Sequence, residues 1–442
     1  MRGIVLLLAI VVMLGMTLRI PFIGVMLWSW FSLQNPHQEA YGFVQTAPIN
    51  LAIAVVTVVA WLFSRERKVP LSGPIFWLLV GFLGWMTFNS FFAYDPAWSW
   101  PYWDRTWKIF ALGLLVAATA RTRVRIYALL WIAVISLFYY GAKGGLFTIL
   151  TGGNFHVWGP PSTQIEDNNA LAVALLMTLP LANYLRGQVA DKRVARVFLV
   201  CILLTIVAVL GTYSRGALIG LGALGLLMLL RTRNRILYLG IAAVAIILAL
   251  QFMPAQFFDR MHTIGAAQQD ESFEGRVIAW HVAFNYASDH FPFGAGFYGP
   301  QLGAIFHHYF PDQIARAAHS IYFQVLGEHG FIGLAIYLAI IFTAFLECSR
   351  IIKATRENPQ QRWIRELAIA IQASLFVFCI SGAALSLAYY DLFVIEISLL
   401  LPLREISIAG KKQRVAWAPL RARGSQAGTD ASPDAEAPRT AH

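Results

Sequence analysis

Ala318-His319-Ser320-Ile321-Tyr322-Phe323-Gln324-Val325-Leu326-Gly327-Glu328-His329-Gly330 joins a long polar loop to an apolar run that continues to residue 348. The run exceeds the roughly 20 residues that an α-helix needs to cross a hydrocarbon layer of about 30 Å. It is therefore a membrane span, and the join sets a histidine, a tyrosine and a glutamine where water meets lipid. Comparable apolar runs recur along the chain, and together they decide the fold class.

Of the 442 residues, 58% are hydrophobic and 13% charged. This excludes a string of soluble domains and indicates one all-α, polytopic integral membrane domain. The net charge of +11 would raise nucleic acid as a partner of a soluble protein. Here the cations sit in short loops between spans, the bias that marks cytoplasmic loops, and no nucleic-acid partner is expected. Cys201, Cys348 and Cys379 lie in or beside apolar runs without ligand spacing and read as packing residues. Arg2 precedes an apolar run with no small-residue cleavage site, so a retained first helix is expected in place of a signal peptide.

Eleven spans are clear, at 46–63, 74–93, 102–119, 126–148, 169–185, 194–212, 216–230, 236–252, 320–348, 364–387 and 391–406. Loops carrying Arg65, Arg67 and Lys68, then Arg121, Arg123 and Arg125, and later Arg350, Lys353 and Arg356 belong on the cytoplasmic side. Intervening loops are rich in Trp, Gly and Pro and face the other way. This phase puts residues 34–45 outside. A first span followed by an outer-leaflet helix from Arg19 to Phe31 then gives twelve spans; thirteen, with the N-terminus outside, is the alternative. The expected organisation is N-terminal transmembrane helices over 1–252, a large outer loop over 253–318 with short helices above the bundle, C-terminal transmembrane helices over 319–408, and a basic, disordered cytoplasmic tail over 409–442.

Chemistry is expected at the outer face. Arg215, in Thr212-Tyr213-Ser214-Arg215-Gly216, falls in an outer turn where positive charge is disfavoured. It reads either as a snorkelling side chain or as an anion site, for which a guanidinium's planar fork suits phosphate oxygens. Arg276 follows Glu274-Gly275 and stands one helical turn before Trp280. Asp167-Asn168-Asn169 has the form of an N-cap and could also line a cavity. His319, Tyr322 and Phe323 share one helix face, whereas Glu328 points elsewhere on the wheel. An imidazole titrating near neutrality is the best general base available in this loop. His307 and His308 are adjacent and cannot share a face, and no zinc motif or Gly-x-Ser-x-Gly elbow occurs. Neither a metal nor a cofactor is expected.

Three segments, taken in order, resemble the bacterial O-antigen ligase and polymerase superfamily. They are Ser214-Arg215-Gly216; Gly275-Arg276 with Trp280, leading to His290-Phe291-Pro292-Phe293-Gly294-Ala295-Gly296; and His319-Ser320-Ile321-Tyr322, leading to Glu328-His329-Gly330-Phe331-Ile332-Gly333-Leu334. Many members have Asn where this chain has Ser320. Asn35-Pro36-His37 together with Asp167-Asn168-Asn169 is more similar to the branch of exosortase-associated O-glycosylation ligases.

The resemblance implies a GT-C-like membrane glycosyltransferase in the bacterial inner membrane, with its active site facing the periplasm. It would move a glycan from undecaprenyl diphosphate to a hydroxyl of lipid A-core oligosaccharide. Arg215 and Arg276 would bind the diphosphate and His319 would take the acceptor proton, in a metal-independent, inverting displacement. Tyr213, Ser214, Trp280, Tyr322, Asn168, Asn169 and Arg316 are the candidate substrate-binding residues around them. Within the superfamily, an O-antigen polymerase or a protein O-oligosaccharyltransferase would share the donor and differ in the acceptor. A flippase of lipid-linked glycans is the reading from a different class; it should carry its charges near the bilayer midplane, whereas these lie at one face.

Overall fold

The computed structural model describes residues 2–40, 42–66, 72–231 and 271–426. Among them all regular structure is helical. The N-terminal part holds α1 (Arg2–Thr17), α2 (Pro21–Gln34), α3 (Ile49–Phe63), α4 (Pro74–Ser90), α5 (Pro96–Thr119), α6 (Arg123–Leu150), α7 (Asn168–Gln188), α8 (Lys192–Gly211) and α9 (Arg215–Arg231). There follow α10 (Glu271–Asp289), the short α11 (Gly303–Tyr309), α12 (Ile321–Ala354), α13 (Arg362–Gly382) and α14 (Asp391–Gln426). The expected span at 236–252 and the loop up to residue 270 lie outside the described residues.

Local sequence explains where these helices begin. Asp95, Asp167 and Asp191 each accept a hydrogen bond from the first-turn backbone of α5, α7 and α8, and proline opens α2, α4 and α5. The α6, α7, α8, α12 and α13 segments are long and apolar enough to cross a membrane, and α1, α3, α4 and α9 are shorter apolar helices. The chain is a multi-pass membrane protein. Its centre is α7 and the first four turns of α14, whose residues 170–182 and 391–403 are buried throughout. Around them, small residues allow close helix contact: α6 presents Gly141, Gly144 and Gly145 to Thr205, Ala208 and the backbone of Leu204 on α8.

The two ends of the bundle differ in chemistry. At one end Arg125 pairs with Glu66 at 2.6 Å, Arg121 with Glu405 at 2.7 Å and Arg362 with Glu366 at 2.6 Å. Tyr127 donates to Gln188, which in turn donates to Glu366. The loops with clustered cations thus gather on one side. At the opposite end Tyr94 N–H meets the Ala295 carbonyl, Val157 N–H the Gly211 carbonyl, and Gln164 the Tyr389 carbonyl.

One expectation changes. Arg19 to Phe31 is not a helix lying in the outer leaflet. Phe22 sits under the Arg125 guanidinium at the cation-rich end, while the Gln34 carbonyl accepts from Tyr140, about four turns further along α6. α1 and α2 therefore form an antiparallel hairpin through the bundle, because Gly24 lets α2 seat directly on Thr57 of α3. At the other terminus α14 runs to Gln426. Residues 427–442 lie outside the described residues.

Candidate functional site

The local frame of the site is a broken helix. Gly330 takes φ 68° and ψ −170° inside α12, a conformation closed to other residues at little cost, so the helix from Ile321 ends there and a second begins. Its last carbonyls lose their helical partners and need others. The Gly327 carbonyl accepts from Ala295 N–H at 2.8 Å, the Glu328 carbonyl from Gly296 N–H at 3.0 Å and from Asn89 Nδ2 at 2.8 Å, and the His329 carbonyl from Trp85 Nε1 at 2.8 Å. Gly294 lies flat on the Glu328–His329 peptide, where a Cβ would overlap the backbone. The Phe291-Pro292-Phe293-Gly294-Ala295-Gly296 stretch is thus the clamp that caps the broken helix, and it fixes the short segment that carries His319 at its start.

His319 itself has φ 44°, a left-handed conformation uncommon for a side-chain-bearing residue. The turn is braced from α10, where Trp280 donates its indole N–H to the Ala318 carbonyl at 2.6 Å and stacks on Phe323 with centroids 5.0 Å apart. Tyr322 ties the same segment to α13 by donating to the Cys379 carbonyl at 3.0 Å. Burial and the Arg276 guanidinium push the His319 imidazole below its ordinary value; Asp167 raises it and Arg316 lowers it further. The ring is therefore neutral at neutral pH and able to accept a proton. The same interactions place Arg276, Arg316 and Asp167 within electrostatic range of one histidine. Arg316 reaches that position across Gly275, where a Cβ would fall on its guanidinium.

Asp167 caps α7 as its sequence suggested, its Oδ1 accepting from Asn169 and Ala170 N–H. Buried Asn168 donates to the Thr212 carbonyl at 2.7 Å, and Asn169 donates to Asp167 at 3.0 Å. This cap thereby joins the His319 surroundings to the turn that carries Arg215. Within that turn Ser214 caps α9 by accepting from Ala217 N–H at 3.2 Å, and Tyr213, 2% exposed, donates its hydroxyl to the Gly153 carbonyl. Tyr213 and Ser214 thus hold the turn through bonds within the fold. Arg215 is the first residue of α9, and Gly216 beside it lies against Ser381 and Ala384 at the end of α13. Gly382 there packs on Ile321, two residues beyond His319. So the structure gathers His319, Arg276, Arg316 and Asp167 directly, and sets the Arg215 turn beside them through Asn168 and α13.

Two acidic groups gain a place that sequence did not give them. Asp167 acts on His319 from 152 positions away. Glu328, 4% exposed, accepts from Tyr389 OH at 2.7 Å and from Tyr298 N–H at 3.2 Å. The one available sequence sign was a carboxylate inside an apolar run, a placement that demands partners.

The fold defines a multi-pass helical membrane protein with a polar cluster around His319 at one end of the bundle. Residues 200–338, which contain all three segments of the site, match the O-Antigen ligase family model, and this match supports the resemblance of that part of the chain to the O-antigen ligase superfamily. Residues 1–190 match a family of unknown function, DUF5935. No curated protein matches the chain. The family assignment supports an enzyme of ligase or polymerase type acting on lipid-linked glycans.

Proposed function

We propose that the protein is an O-antigen ligase-type glycosyltransferase that moves a glycan from undecaprenyl diphosphate to a hydroxyl of lipid A-core oligosaccharide, at the periplasmic face of the inner membrane. The observation that carries this reading is His319, held in a left-handed turn with its imidazole pushed below the ordinary value by burial and by the charges of Arg276 and Arg316. An acceptor hydroxyl would attack the anomeric carbon as His319 takes its proton. The bond from that carbon to the diphosphate oxygen breaks, and the diphosphate leaves as an anion with inversion at carbon. Because the leaving group is already anionic, positive charge replaces the carboxylic acid that glycoside hydrolysis needs. Arg276, Arg316 and Arg215 supply it, Arg215 from a helix N-terminus whose dipole also favours anions. Trp280, Tyr322, Asn168, Asn169, Tyr213 and Ser214 act in this scheme by positioning those groups. The reading includes a GT-C-like architecture.

The test is transfer in vitro from purified undecaprenyl-diphosphate glycan, offered lipid A-core or unglycosylated protein. Transfer to lipid A-core that persists in EDTA, and that falls about 100- to 1,000-fold in Arg215→Ala and in Arg276→Ala, is expected for loss of one preorganised charge. His319→Ala should abolish it. Full activity of His319→Ala and Arg215→Ala would overturn the mechanism, and transfer to protein alone would replace the acceptor.

A further inference from the structure

A cavity of about 190 Å³ lies at the same end of the bundle as His319 but outside its electrostatic surroundings. Its walls come from α2, α3, α5, the loop before α7 and the start of α14. Its charges cancel: Lys108 is paired with Asp104 at 2.6 Å, and Asp391 is held by the Ser32 hydroxyl and attracted by Arg105. The polar atoms left over are neutral. Asn50 Oδ1, Gln164 Oε1 and Tyr390 OH are buried without a partner, and Tyr390 is 2% exposed. Gln164 cannot be turned round to change this, since its Nε2 donates to the Tyr389 carbonyl at 3.3 Å.

Leaving such atoms unpaired costs about 1–3 kcal/mol each, so the cavity is built to be filled by something that donates and accepts hydrogen bonds. Phosphate offers acceptors and would have to compete with Asp104 and Asp391 for the cations. Hydrocarbon satisfies none of the three atoms. A sugar hydroxyl both donates and accepts, and the indole of buried Trp28 supplies an apolar wall for the ring's C–H face. The volume equals about six waters, on the scale of one sugar ring.

From the unpartnered Gln164, Tyr390 and Asn50 atoms in a charge-balanced cavity, we infer a binding site for a single neutral sugar unit, separate from the His319 cluster. Gln164 stands three residues before Asp167, and Tyr389, next to Tyr390, holds Glu328. A glycan seated there would lie beside the His319 end. The inference does not depend on the transfer chemistry proposed above.

The test is saturation-transfer NMR on the full chain in nanodiscs, with methyl glucoside, methyl mannoside, methyl galactoside, N-acetylglucosamine and inorganic phosphate as probes. Saturable binding of at least one sugar is expected, weakened about tenfold or more by Gln164→Ala and by Tyr390→Phe, which keeps the ring and removes only the hydroxyl. His319→Ala should leave it unchanged, so failure here and failure of the transfer mechanism are read separately. Saturable binding of phosphate in place of every sugar would overturn the assignment. So would the absence of any saturable sugar, which would leave a water-filled cavity, or sugar binding indifferent to both cavity variants.

Discussion

Trp280 donates its indole N–H to the carbonyl of Ala318 at 2.6 Å, so α10 fixes the backbone immediately before His319. The left-handed turn at His319 is held by that bond, by the Phe323 stack and by the Tyr322 tie to α13. In the proposed reaction Trp280 would act by positioning His319.

Trp280→Phe keeps an aromatic ring for Phe323 and removes the N–H. Because the bond is worth about 0.5–1.5 kcal/mol, kcat for transfer should fall about two- to tenfold, with KM for the lipid donor little changed. Donor binding lost in step with kcat would show that Trp280 contacts the donor instead.

The pH dependence follows from the environment of His319. Since burial, Arg276 and Arg316 hold its value below the ordinary one, the base form is already present at neutral pH. kcat/KM should rise with pH along a limb below about 6.5 and then level off. Arg276→Ala removes a repelling cation and should move the limb up, whereas Asp167→Asn removes a favourable anion and should move it down. A limb that neither variant moves would mean that another group titrates.

Asn89 bridges the two halves of the clamp, donating to the Glu328 carbonyl at 2.8 Å and accepting from Gly294 N–H at 3.1 Å. Asn89→Ala leaves the buried Gly294 N–H unpaired, at roughly 1–3 kcal/mol, and takes from the Glu328 carbonyl one of its two donors, the other being Gly296 N–H. Gly330→Ala imposes a left-handed alanine whose Cβ meets the Pro292 carbonyl, costing more than about 1 kcal/mol. Both variants should lower the thermal midpoint in detergent by several degrees. Wild-type midpoints for both would remove the clamp from the account.

The α1–α2 hairpin implies thirteen crossings once the span expected at 236–252 is included, with the Arg2 end of α1 opposite the cation-rich loops. Reporter fusions ahead of α1 and after residue 408 should report opposite sides of the membrane. Fusions on the same side would restore the twelve-span arrangement.

Much of the architecture follows from composition along the chain. An apolar run of about 20 residues has one stable solution in lipid, a helix that satisfies its own backbone. The helices α6, α7, α8, α12 and α13 were therefore legible without knowledge of their neighbours, as was the Asp167 cap, whose partners lie two and three residues away. The α1–α2 region was not, because a 14-residue apolar helix fits either an interfacial or a crossing position, and its contacts with Thr57 and Arg125 decide between them.

For the site, the sequence by itself determined which residue types stand beside the apolar runs: His319, Arg276 and Arg215, with glycines at Gly294 and Gly330. Only the tertiary structure decided what acts on what. Asp167 and Arg316 bear on His319, Glu328 is satisfied by Tyr298 and Tyr389, and the glycine motif serves as a clamp for carbonyls freed at Gly330. The reason is range: helix formation is settled over a few residues, whereas electrostatic and hydrogen-bonding partners here are separated by tens to hundreds of positions and meet only when the helices pack.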